Sequence, residues 1–518
     1  MPEYLSPGIY IEEVNSGPRP IESVGTACAA FVGFAPAGPV NKPMLVTNWS
    51  QYVNTFGSLD ESGRKVPHMA GSFLSHAVFG YFLNGGGRCY VTRVAPATSG
   101  AKAEEKAAQL QLPSKSSKAV PSLTFTPKGT PAADITIEVQ PPTGEAPPEG
   151  AFTLNVSMGE VRESYENVNL GKKGRPVVDT VNQASKLVTV AEVAGPGSLV
   201  DRAPEVGNYI VKAPAPVSPP KLKANDLMGS VVERSGIEGL EIAEDVTMVC
   251  CPDLMSAYQS GMIDRTGVKA VQTAMINHCE RMADRMAIID PLPDLTPQEV
   301  KKWREAETNY DSMFATLYYP WISVMGPDGQ PMNMPPCGHI AGVWARSDSE
   351  RGVHKAPANE IVRGALGPAS DITKGEQDTL NPIGVNCIRS FTGRGIRVWG
   401  ARTLSSDPAW RYINVRRLFN MVEKSIENGT QWIVFEPNDS GLWSRVRRDV
   451  GSYLSTVWRS GALFGASPGE AFYVKCDAEL NPSEIRDQGK LIIEVGMAPV
   501  KPAEFVIFRF SQFSGGGA

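Results

Sequence analysis

Histidine and cysteine are scarce in this sequence, and neither residue is spaced as in a metal site. Only five histidines occur among the 518 residues, and none belongs to an HExxH pair. The eight cysteines include no CxxC pair, which excludes the common zinc-ribbon and thiol-redox motifs. We therefore predict no metal site and no cofactor, and we expect the cysteines to be reduced and mostly buried.

The sequence also has no long apolar run and no block of like charge. No stretch reaches the ~18 consecutive apolar residues that mark a membrane-spanning helix, and the start of the chain lacks the pattern of a secretory signal. The formal net charge is -5, and no basic stripe of the kind that binds nucleic acid is present. We therefore expect neither nucleic acid nor a lipid bilayer as a direct partner.

Two features imitate catalytic motifs but lack the context that catalysis requires. Residues 465–469 match the GxSxG elbow, but a predicted helix precedes Ser467, and Pro468 after it has no N–H for an oxyanion hole. Asp253 and Asp290 follow predicted strands where doubly wound sheets bind ligands, yet both adjoin prolines in turn-forming pairs. A serine or metal-dependent hydrolase is therefore kept only as an alternative, and we predict no catalytic residue.

Changes in composition and periodicity divide the chain into six segments. They are an extended N-terminal arm (1–22), the first part of the core (23–95), an inserted small β-rich domain (96–235), an α/β domain (236–385), a C-terminal α+β domain (386–502) and a C-terminal β arm with a tail (503–518). The insertion is distinguished by recurrent proline and by short runs that alternate apolar and polar residues. The predicted fold class is therefore a multidomain protein with α/β and α+β parts.

Strands and helices alternate in segment 236–385. Apolar runs such as 317–324 predict buried strands, and apolar residues recur at helical spacing between Val268 and Met282. Thr296 and Glu299 have the spacing of a capping box at the start of a helix. Alternation of this kind predicts a doubly wound parallel sheet covered by helices.

Both ends of the sequence are β-prone and have no obvious partner strand nearby. Near the start, the residues concerned are Ile9, Tyr10, Ile11, Glu12 and Val14. Near the end, they are Phe505, Val506, Ile507, Phe508, Arg509 and Phe510. An isolated apolar strand promotes aggregation unless it is added to a sheet, often a sheet of another subunit. We therefore predict that both arms are inter-subunit strands.

Three arginines, Arg445, Arg447 and Arg448, cluster on a helix predicted over residues 442–463. Such a cluster is either a solvated helix face or a docking face for an acidic partner. The residues alone leave both interpretations open.

Several runs of residues resemble contractile tail sheath proteins. The run 7–13 (PGIYIEE) is similar to the N-terminal arm of that family, and the run 336–346 (PCGHIAGVWAR) is similar to its central block. The most specific similarity lies in the runs ARTL (401–404), WRYINVRRL (410–418), WIVFEPND (432–439), FYVKCD (472–477) and PAEFVI (502–507). The resemblance covers nearly the whole chain except 96–235 and is greatest to the sheaths of extracellular injection systems and R-type bacteriocins.

The resemblance implies a fold, a function and partners. The α/β domain would have a subtilisin-like fold without its catalytic triad. The chain would polymerise with itself as stacked hexameric rings around an inner tube protein, between baseplate and terminal cap proteins, and contraction would drive the tube through a target envelope. Arg445, Arg447 and Arg448 would then be candidate tube-facing residues. Assembly is expected in the cytoplasm, as part of a phage tail or of a tail-like particle released from the cell. A non-contractile structural filament is the second alternative.

Overall fold

The computed structural model describes residues 20–60, 63–95, 109–115, 120–128, 133–144, 148–171, 174–195, 197–212 and 222–509. The chain divides into two compact units. The larger unit contains residues 27–350 and 357–413, and the smaller unit contains the residues before Ala27, residues 351–356 and the chain from Asn414 onward. Within the described ranges, no helix is long and apolar enough to span a bilayer.

The structure contains short strands throughout its length, twenty-two of them in the described residues. In chain order they are β1 (Cys28–Gly33), β2 (Met44–Val46), β3 (Ser58–Leu59), β4 (Lys65–Val66), β5 (Arg88–Arg93), β6 (Leu110–Pro113), β7 (Pro121–Pro127), β8 (Ile135–Gln140), β9 (Phe152–Met158), β10 (Val161–Val168), β11 (Val188–Glu192), β12 (Gly207–Val211), β13 (Met248–Cys250), β14 (Met286–Ile289), β15 (Ala315–Tyr319), β16 (Ile322–Met325), β17 (Pro331–Met334), β18 (Ala365–Pro368), β19 (Val385–Phe391), β20 (Gly395–Trp399), β21 (Phe472–Lys475) and β22 (Glu494–Met497).

The α-helices range from single turns to five turns. They are α1 (Trp49–Phe56), α2 (Leu74–Leu83), α3 (Val177–Ala184), α4 (Ala224–Met228), α5 (Asp253–Gln259), α6 (Arg265–Met282), α7 (Pro297–Lys302), α8 (Cys337–Arg351), α9 (Lys374–Leu380), α10 (Ile413–Gly429), α11 (Ser440–Arg459), α12 (Pro468–Ala471) and α13 (Ser483–Arg486).

An eight-stranded sheet organises the larger unit. Its strands lie in the order β2–β5–β1–β13–β14–β15–β19–β20. The six central strands are parallel, and the edge strands β2 and β20 are antiparallel to their neighbours. Strands β1, β13, β14 and β15 are buried at every position, which is why their sequences are uninterrupted apolar runs. The predicted parallel sheet is confirmed, and its order reverses between β1 and β13.

The predicted helix signals in this unit are also confirmed. Helix α7 begins at the capping box, where the Thr296 amide donates to the Glu299 carboxylate at 2.8 Å and the Glu299 amide donates to the Thr296 hydroxyl at 3.4 Å. Helix α6 buries the predicted apolar face from Val268 to Cys279, whereas Met282, the last residue of the predicted face, is half-buried. Local sequence therefore fixes where these helices begin and which face they bury.

One predicted strand is wrong as a single element. The run 317–324 is divided by Pro320, which has no N–H to continue the ladder. Strand β15 ends at Tyr319 in the main sheet, whereas β16 begins at Ile322 in a separate three-stranded sheet with β17 and β18.

Two predicted boundaries differ from the structure. The boundary at 385/386 falls at the start of β19, which pairs with β15, so the main sheet continues to the end of β20. The predicted end of the insertion at residue 235 is too late, because Leu222 and Leu227 are buried in the core around the main sheet. In both places the packing partner is far away in sequence, and local composition does not reveal it.

The inserted β-rich domain has a hydrophobic core of its own. Its strands form two antiparallel sheets, in the orders β10–β9–β8–β12 and β11–β7–β6. The period-two alternation predicted for β8 is present, since Ile135, Ile137 and Val139 all face this core. Among the described residues, Leu59 is the buried member of this core that lies outside the insertion.

The smaller unit packs helices α10 and α11 with the hairpin of β21 and β22. Its core includes Leu418 and Val422 of α10 and Val446, Val450 and Leu454 of α11. Strands β21 and β22 pair antiparallel in register from Phe472 opposite Met497 to Lys475 opposite Glu494. In the described part of the chain, this sheet has two strands.

Candidate assembly site

The described part of the C-terminal arm is apolar, exposed and without a strand. From residue 501 to residue 509 the chain has no regular secondary structure. Phe505, Val506, Ile507 and Phe508 expose 71%, 69%, 77% and 77% of their surface, and Arg509 is also exposed. Phe510 lies outside the described residues. A run of four exposed apolar residues is a candidate interaction surface, because a folded chain normally covers such a run.

The N-terminal arm itself lies outside the described residues, but its root is well defined. Ile9, Tyr10, Ile11, Glu12 and Val14 all belong to the part that the structure does not describe. The residues from 20 to 26 form no strand and run along helix α10 instead. The arm prediction therefore stays a prediction, and the contacts of its root are the relevant observation.

Three contacts fasten this root to α10. Ile21 packs on Gly429, where an added Cβ would lie 2.7 Å from the Ile21 Cγ1. The Val24 amide donates to the Ser425 hydroxyl at 3.0 Å. The Arg417 guanidinium donates to the Thr26 carbonyl at 3.0 Å. The N-terminal arm thus starts from a backbone segment that is held in place along one helix.

The root of the C-terminal arm is fastened to the same helix. The Asn414 side-chain amide donates to the Val500 carbonyl at 3.1 Å and to the His354 carbonyl at 2.8 Å. The Val500 amide donates to the Ala462 carbonyl at 3.2 Å, which ties the segment to the chain after α11. Both arms therefore leave from the smaller unit, next to α10.

The β21–β22 hairpin is the candidate acceptor for arm strands. One face is packed, because Phe472, Val474 and Val495 lie against the core of the smaller unit. On the other face, Tyr473 is 53% exposed, and its ring covers the cross-strand partner Gly496. A two-stranded sheet is only marginally stable, and its outer backbone edges can pair with further strands.

The three predicted tube-facing arginines separate into two kinds. Arg445 and Arg448 are exposed, and each pairs with a carboxylate, Glu436 at 3.2 Å and Asp449 at 3.0 Å respectively. Arg447 instead donates to the Cys476 carbonyl and to the Ser444 hydroxyl, so it fixes the chain after β21. Two of the three side chains are thus available to a partner, and the third has a role within the subunit.

An apolar loop beside Arg445 was not identified by sequence reasoning as a surface feature. Phe435 is fully exposed with a φ of +69°, and Val434 is 64% exposed. The Arg445 guanidinium lies over the Trp432 ring, 5.3 Å from its centroid. A bulky residue at positive φ with no packed side chain contributes nothing to the stability of the isolated chain. The sequence does indicate this exposed loop, because the apolar residues of the run WIVFEPND follow neither a helical nor a strand period.

Asp253 is a structural carboxylate at the point where the sheet order reverses. It is fully buried and accepts hydrogen bonds from the Phe34 amide after β1 and the Phe73 amide before α2, both at 2.5 Å. The Ser72 hydroxyl also donates to it, at 3.0 Å. Burial raises the pKa of Asp253 to about 6, and these donors oppose the shift. The position where doubly wound sheets bind ligands is therefore occupied by a side chain of the protein.

Asp290 has the same kind of role at the next strand. Its carboxylate accepts from the Cys337 amide at 3.0 Å, at the start of α8, while its own carbonyl accepts from the Gln272 side chain at 2.7 Å. Burial raises the pKa of Asp290 to about 7. Each aspartate therefore accepts a hydrogen bond from a backbone amide at the start of a helix. The two are not arranged as a catalytic pair facing a cleft.

Ser467 has no catalytic partner among the described residues. It is exposed and immediately precedes the single-turn helix α12. Within the described ranges, no group of three or more histidine, cysteine, aspartate or glutamate side chains is arranged to hold a metal ion. All eight cysteines are buried, as predicted.

A cleft of about 400 Å³ in the larger unit contains the only notable histidine pair of the described region. Trp49, Phe79 and Met325 line it together with His68 and His76, whose rings stack 4.2 Å apart. Burial, reinforced by His68, lowers the pKa of His76 to about 4. No carboxylate lines the cleft, so it contains no carboxylate–histidine pair, and the two histidines have no third metal ligand beside them among the described residues.

Comparisons with known proteins point to one family. A family model described as the phage tail sheath protein central domain matches residues 240–404, and one described as the phage tail sheath C-terminal domain matches residues 405–513. Together they match more than half of the chain.

Curated relatives extend the similarity to nearly the whole length. The chain is 24% identical over 524 residues to the tail sheath protein of Burkholderia phage BcepMu, covering 97% of this chain and 95% of the relative. It is 29% identical over 181 residues to the tail sheath protein of Vibrio phage KVP40, covering 34% of this chain. That matched segment spans 26% of the KVP40 protein's length.

Solved structures of a contractile particle are similar over the full chain. The helical sheath of the anti-feeding prophage in its contracted state has a TM-score of 0.59 and 26% identity, and covers 98% of this chain and 99% of that chain. A chain in the six-fold symmetrised baseplate structure of the same prophage has a TM-score of 0.56 and 25% identity, and covers 99% of this chain and 100% of that chain.

Proposed function

The chain belongs to the phage tail sheath protein family, and on that premise we propose that it is the structural subunit of a contractile sheath. Its subunits would stack as hexameric rings around an inner tube, and contraction would drive the tube through a target envelope. The family is structural and not enzymatic, which agrees with the internal roles of Asp253 and Asp290. The single observation that carries the assembly proposal is the exposed apolar arm at residues 505–508.

The arms are proposed to link subunits by strand addition. A C-terminal arm from one subunit and an N-terminal arm from another would add to the β21–β22 hairpin of a third. Backbone pairing contributes about 0.5–1.5 kcal/mol per hydrogen bond, and burial of each phenylalanine contributes about 1.5–3 kcal/mol more. Strands on short tethers allow the subunits to rotate while the links persist, as contraction requires.

The finer fold of the larger unit is proposed to be subtilisin-like without a triad. Support comes from the parallel order of its central strands and from the absence, in the described part of the chain, of a Ser–His–Asp contact. Ser467 belongs to the smaller unit and not to the sheet-bearing unit. The hydrolase alternative therefore has no support.

Removing either arm should abolish polymerisation without unfolding the subunit. We expect deletion of residues 1–15, or the double change Phe508→Asp and Phe510→Asp, to leave a folded monomer, because the deletion keeps the root at residues 20–26 and the described arm residues 505–508 are exposed. Circular dichroism and negative-stain microscopy measure the two properties.

A matched control places the same kind of charge on exposed apolar residues away from the arms. Val206 and Ile210 in the insertion are 49% and 51% exposed, and the double change Val206→Asp and Ile210→Asp should leave tube formation intact. Tubes of normal length from either arm variant would refute the strand-addition proposal.

The inner tube is proposed to contact the surface formed by Trp432, Val434, Phe435, Arg445 and Arg448. Support comes from its exposed apolar residues next to two exposed cations, a combination suited to an acidic partner. Arg447 is left out of this surface because it bonds within the subunit.

Charge reversal tests this surface. Arg445→Glu with Arg448→Glu should lower recruitment of the purified tube protein in a co-sedimentation assay while the sheath still polymerises. Arg459→Glu, at the exposed end of the same helix, is the control and should recruit tubes normally. Unchanged recruitment by the double variant rules the surface out.

Baseplate and terminal cap proteins are proposed as further partners, in a particle assembled in the cytoplasm as a phage tail or a released tail-like machine. The similar chain in the anti-feeding prophage baseplate supports a baseplate contact. A non-contractile filament is the remaining alternative. A single fixed helical lattice under all solution conditions, seen by cryo-microscopy of purified tubes, would favour it.

A further inference from the structure

Helix α10 is unusually polar on its buried side. Asn414, Arg416, Arg417, Asn420 and Ser425 are all buried, with exposures between 0% and 6%. Buried polar side chains rarely add stability compared with apolar residues of the same shape, but they fix geometry through their hydrogen bonds. The partners of these side chains therefore indicate what the helix holds in position.

Two of these side chains hold the roots of the terminal arms. Arg417 donates to the Thr26 carbonyl, the last residue of the smaller unit before the chain enters the larger unit. Asn414, the first residue after the chain returns to the smaller unit, donates to the Val500 carbonyl. Residues three apart on a helix are neighbours on its surface, so the two roots are held one helical turn apart.

Asn414 also holds a third segment. Its amide donates to the His354 carbonyl, in the segment 351–356 that enters the smaller unit between two passages of the chain through the larger one. The Asn414 Oδ1 is buried and has no hydrogen-bond partner in the described residues. The side chain is thus placed for its two donor contacts, even though its acceptor is not satisfied.

We propose that Asn414 is a positioning residue that sets the direction in which the C-terminal arm leaves the subunit. The inference rests on the proposed strand addition between subunits. Binding by an extended segment is weakened when its attachment point is mobile, because that mobility must be lost on association. Fixed roots therefore lower the concentration at which subunits polymerise.

The direct test measures the spread of each arm in unassembled subunits, below the polymerisation concentration. Nitroxide labels at Ser452→Cys, exposed on α11, and at Ile507→Cys report on the C-terminal arm; labels at Ser452→Cys and Ser16→Cys report on the N-terminal arm. The native cysteines are all buried and do not compete for label. Pulsed dipolar spectroscopy then gives the width of each distance distribution.

Asn414→Leu removes the donor and keeps the branched shape of the side chain, and it should broaden the C-terminal distribution. In unlabelled protein, the same change should raise the critical concentration for polymerisation about fivefold or more, the effect of losing one or two hydrogen bonds at each link. Arg417→Met is a further control: the N-terminal distribution should stay unchanged, because Ile21 and Val24 hold the N-terminal root at points nearer the arm.

A buried asparagine elsewhere in the same unit provides the matched control. Asn481 is 1% exposed and donates to the Asp477 carbonyl at 3.1 Å and the Ile492 carbonyl at 3.0 Å, neither of which belongs to an arm root. Asn481→Leu should lower the thermal midpoint as Asn414→Leu does, but should leave both distance distributions unchanged.

The outcomes separate this inference from the proposed function. An unchanged distribution in Asn414→Leu overturns the role of Asn414, as does equal broadening by Asn481→Leu. If Asn414→Leu does not fold, Asn414→Ala, which removes the donor without adding apolar bulk, carries the test. Arm-deleted subunits that still polymerise would overturn the proposed strand addition itself, whatever these widths are.

Discussion

At the scale of single residues, Asp253 and Asp290 occupy, in the described part of the larger unit, the carboxyl ends of two parallel strands, where such sheets often bind ligands. A helix start attracts anions through its free amides and its dipole. Here the anion is internal, because Asp253 occupies the start of α2 and Asp290 the start of α8. Gly33 is required beside Asp253, since a Cβ there would lie 2.5 Å from the carboxylate oxygen.

Replacing Asp290 with asparagine should make stability less sensitive to pH. Asparagine can still accept from the Cys337 amide, but it cannot ionise. The folded-state pKa of Asp290 is about 7, against an unfolded value near ~4, so the wild type loses stability as pH rises through this window. We expect the free energy of unfolding of D290N to exceed that of wild type by little near pH ~4 and by on the order of 4 kcal/mol near pH ~8.

Urea unfolding at several pH values between ~4 and ~8 measures this difference. D294N makes the same change of formal charge at an exposed position and serves as the control. A difference between D290N and wild type that does not change with pH would contradict the proposed internal role of Asp290.

At the scale of elements, α2 and α8 approach so closely that glycine is required between them. A Cβ on Gly342 would lie 2.5 Å from the Tyr81 carbonyl oxygen, and one on Gly338 would overlap the Ala77 backbone. Conversely, Gly80 of α2 leaves room for the buried His339 ring. The close approach of the two helices therefore explains why Gly80, Gly338 and Gly342 occur inside helices.

Gly342→Ala should therefore destabilise the larger unit by about 1–3 kcal/mol, although alanine is the better helix former. Gly451→Ala is the control, because Gly451 lies inside α11 with nothing near its would-be Cβ, and that change should stabilise by about 0.5–1 kcal/mol. Thermal or urea unfolding measures both changes in the free energy of unfolding. A stabilising Gly342→Ala would show that the helices can move apart without cost.

Local pattern was sufficient for the elements whose sequence signals are short-range. The buried strands, the capping box at Thr296 and the alternation of β8 all follow from residues within one element. The start of α11 at Ser440 lies within a few residues of its predicted position at 442.

Two features that sequence reasoning missed depend on long-range partners. Asp253 is 219 residues from Phe34 and 180 from Phe73, so its neighbours in sequence do not indicate that it binds a helix start. Arg447 cannot be told from Arg445 and Arg448 by sequence, because its bond to the Cys476 carbonyl forms only in the folded smaller unit. The exposed loop at Phe435 and the strand break at Pro320, by contrast, have local signals: an apolar run without a period, and a residue without an N–H.

At the scale of the whole molecule, the proposed assembly surfaces lie in one unit of the chain, and the main sheet and the inserted domain lie in the other. Both arm roots, the β21–β22 hairpin and the proposed tube surface belong to the smaller unit. The main sheet contains no strand from residues 109–212, and the insertion buries its own core. We therefore expect the insertion to be separable from the fold of the larger unit and from the proposed assembly surfaces.

Replacement of residues 96–221 by a flexible Gly-Ser linker should accordingly give a folded subunit that still forms tubes. Leu59 would lose its packing partners in the inserted core, so the variant should also carry Leu59→Ser to prevent aggregation. Restoring Leu59 in the deletion variant is the control and should increase aggregation only. Circular dichroism and negative-stain microscopy report on fold and tubes. An unfolded deletion variant would mean that the larger unit depends on the insertion, and a folded variant without tubes would mean that the insertion contributes an assembly contact.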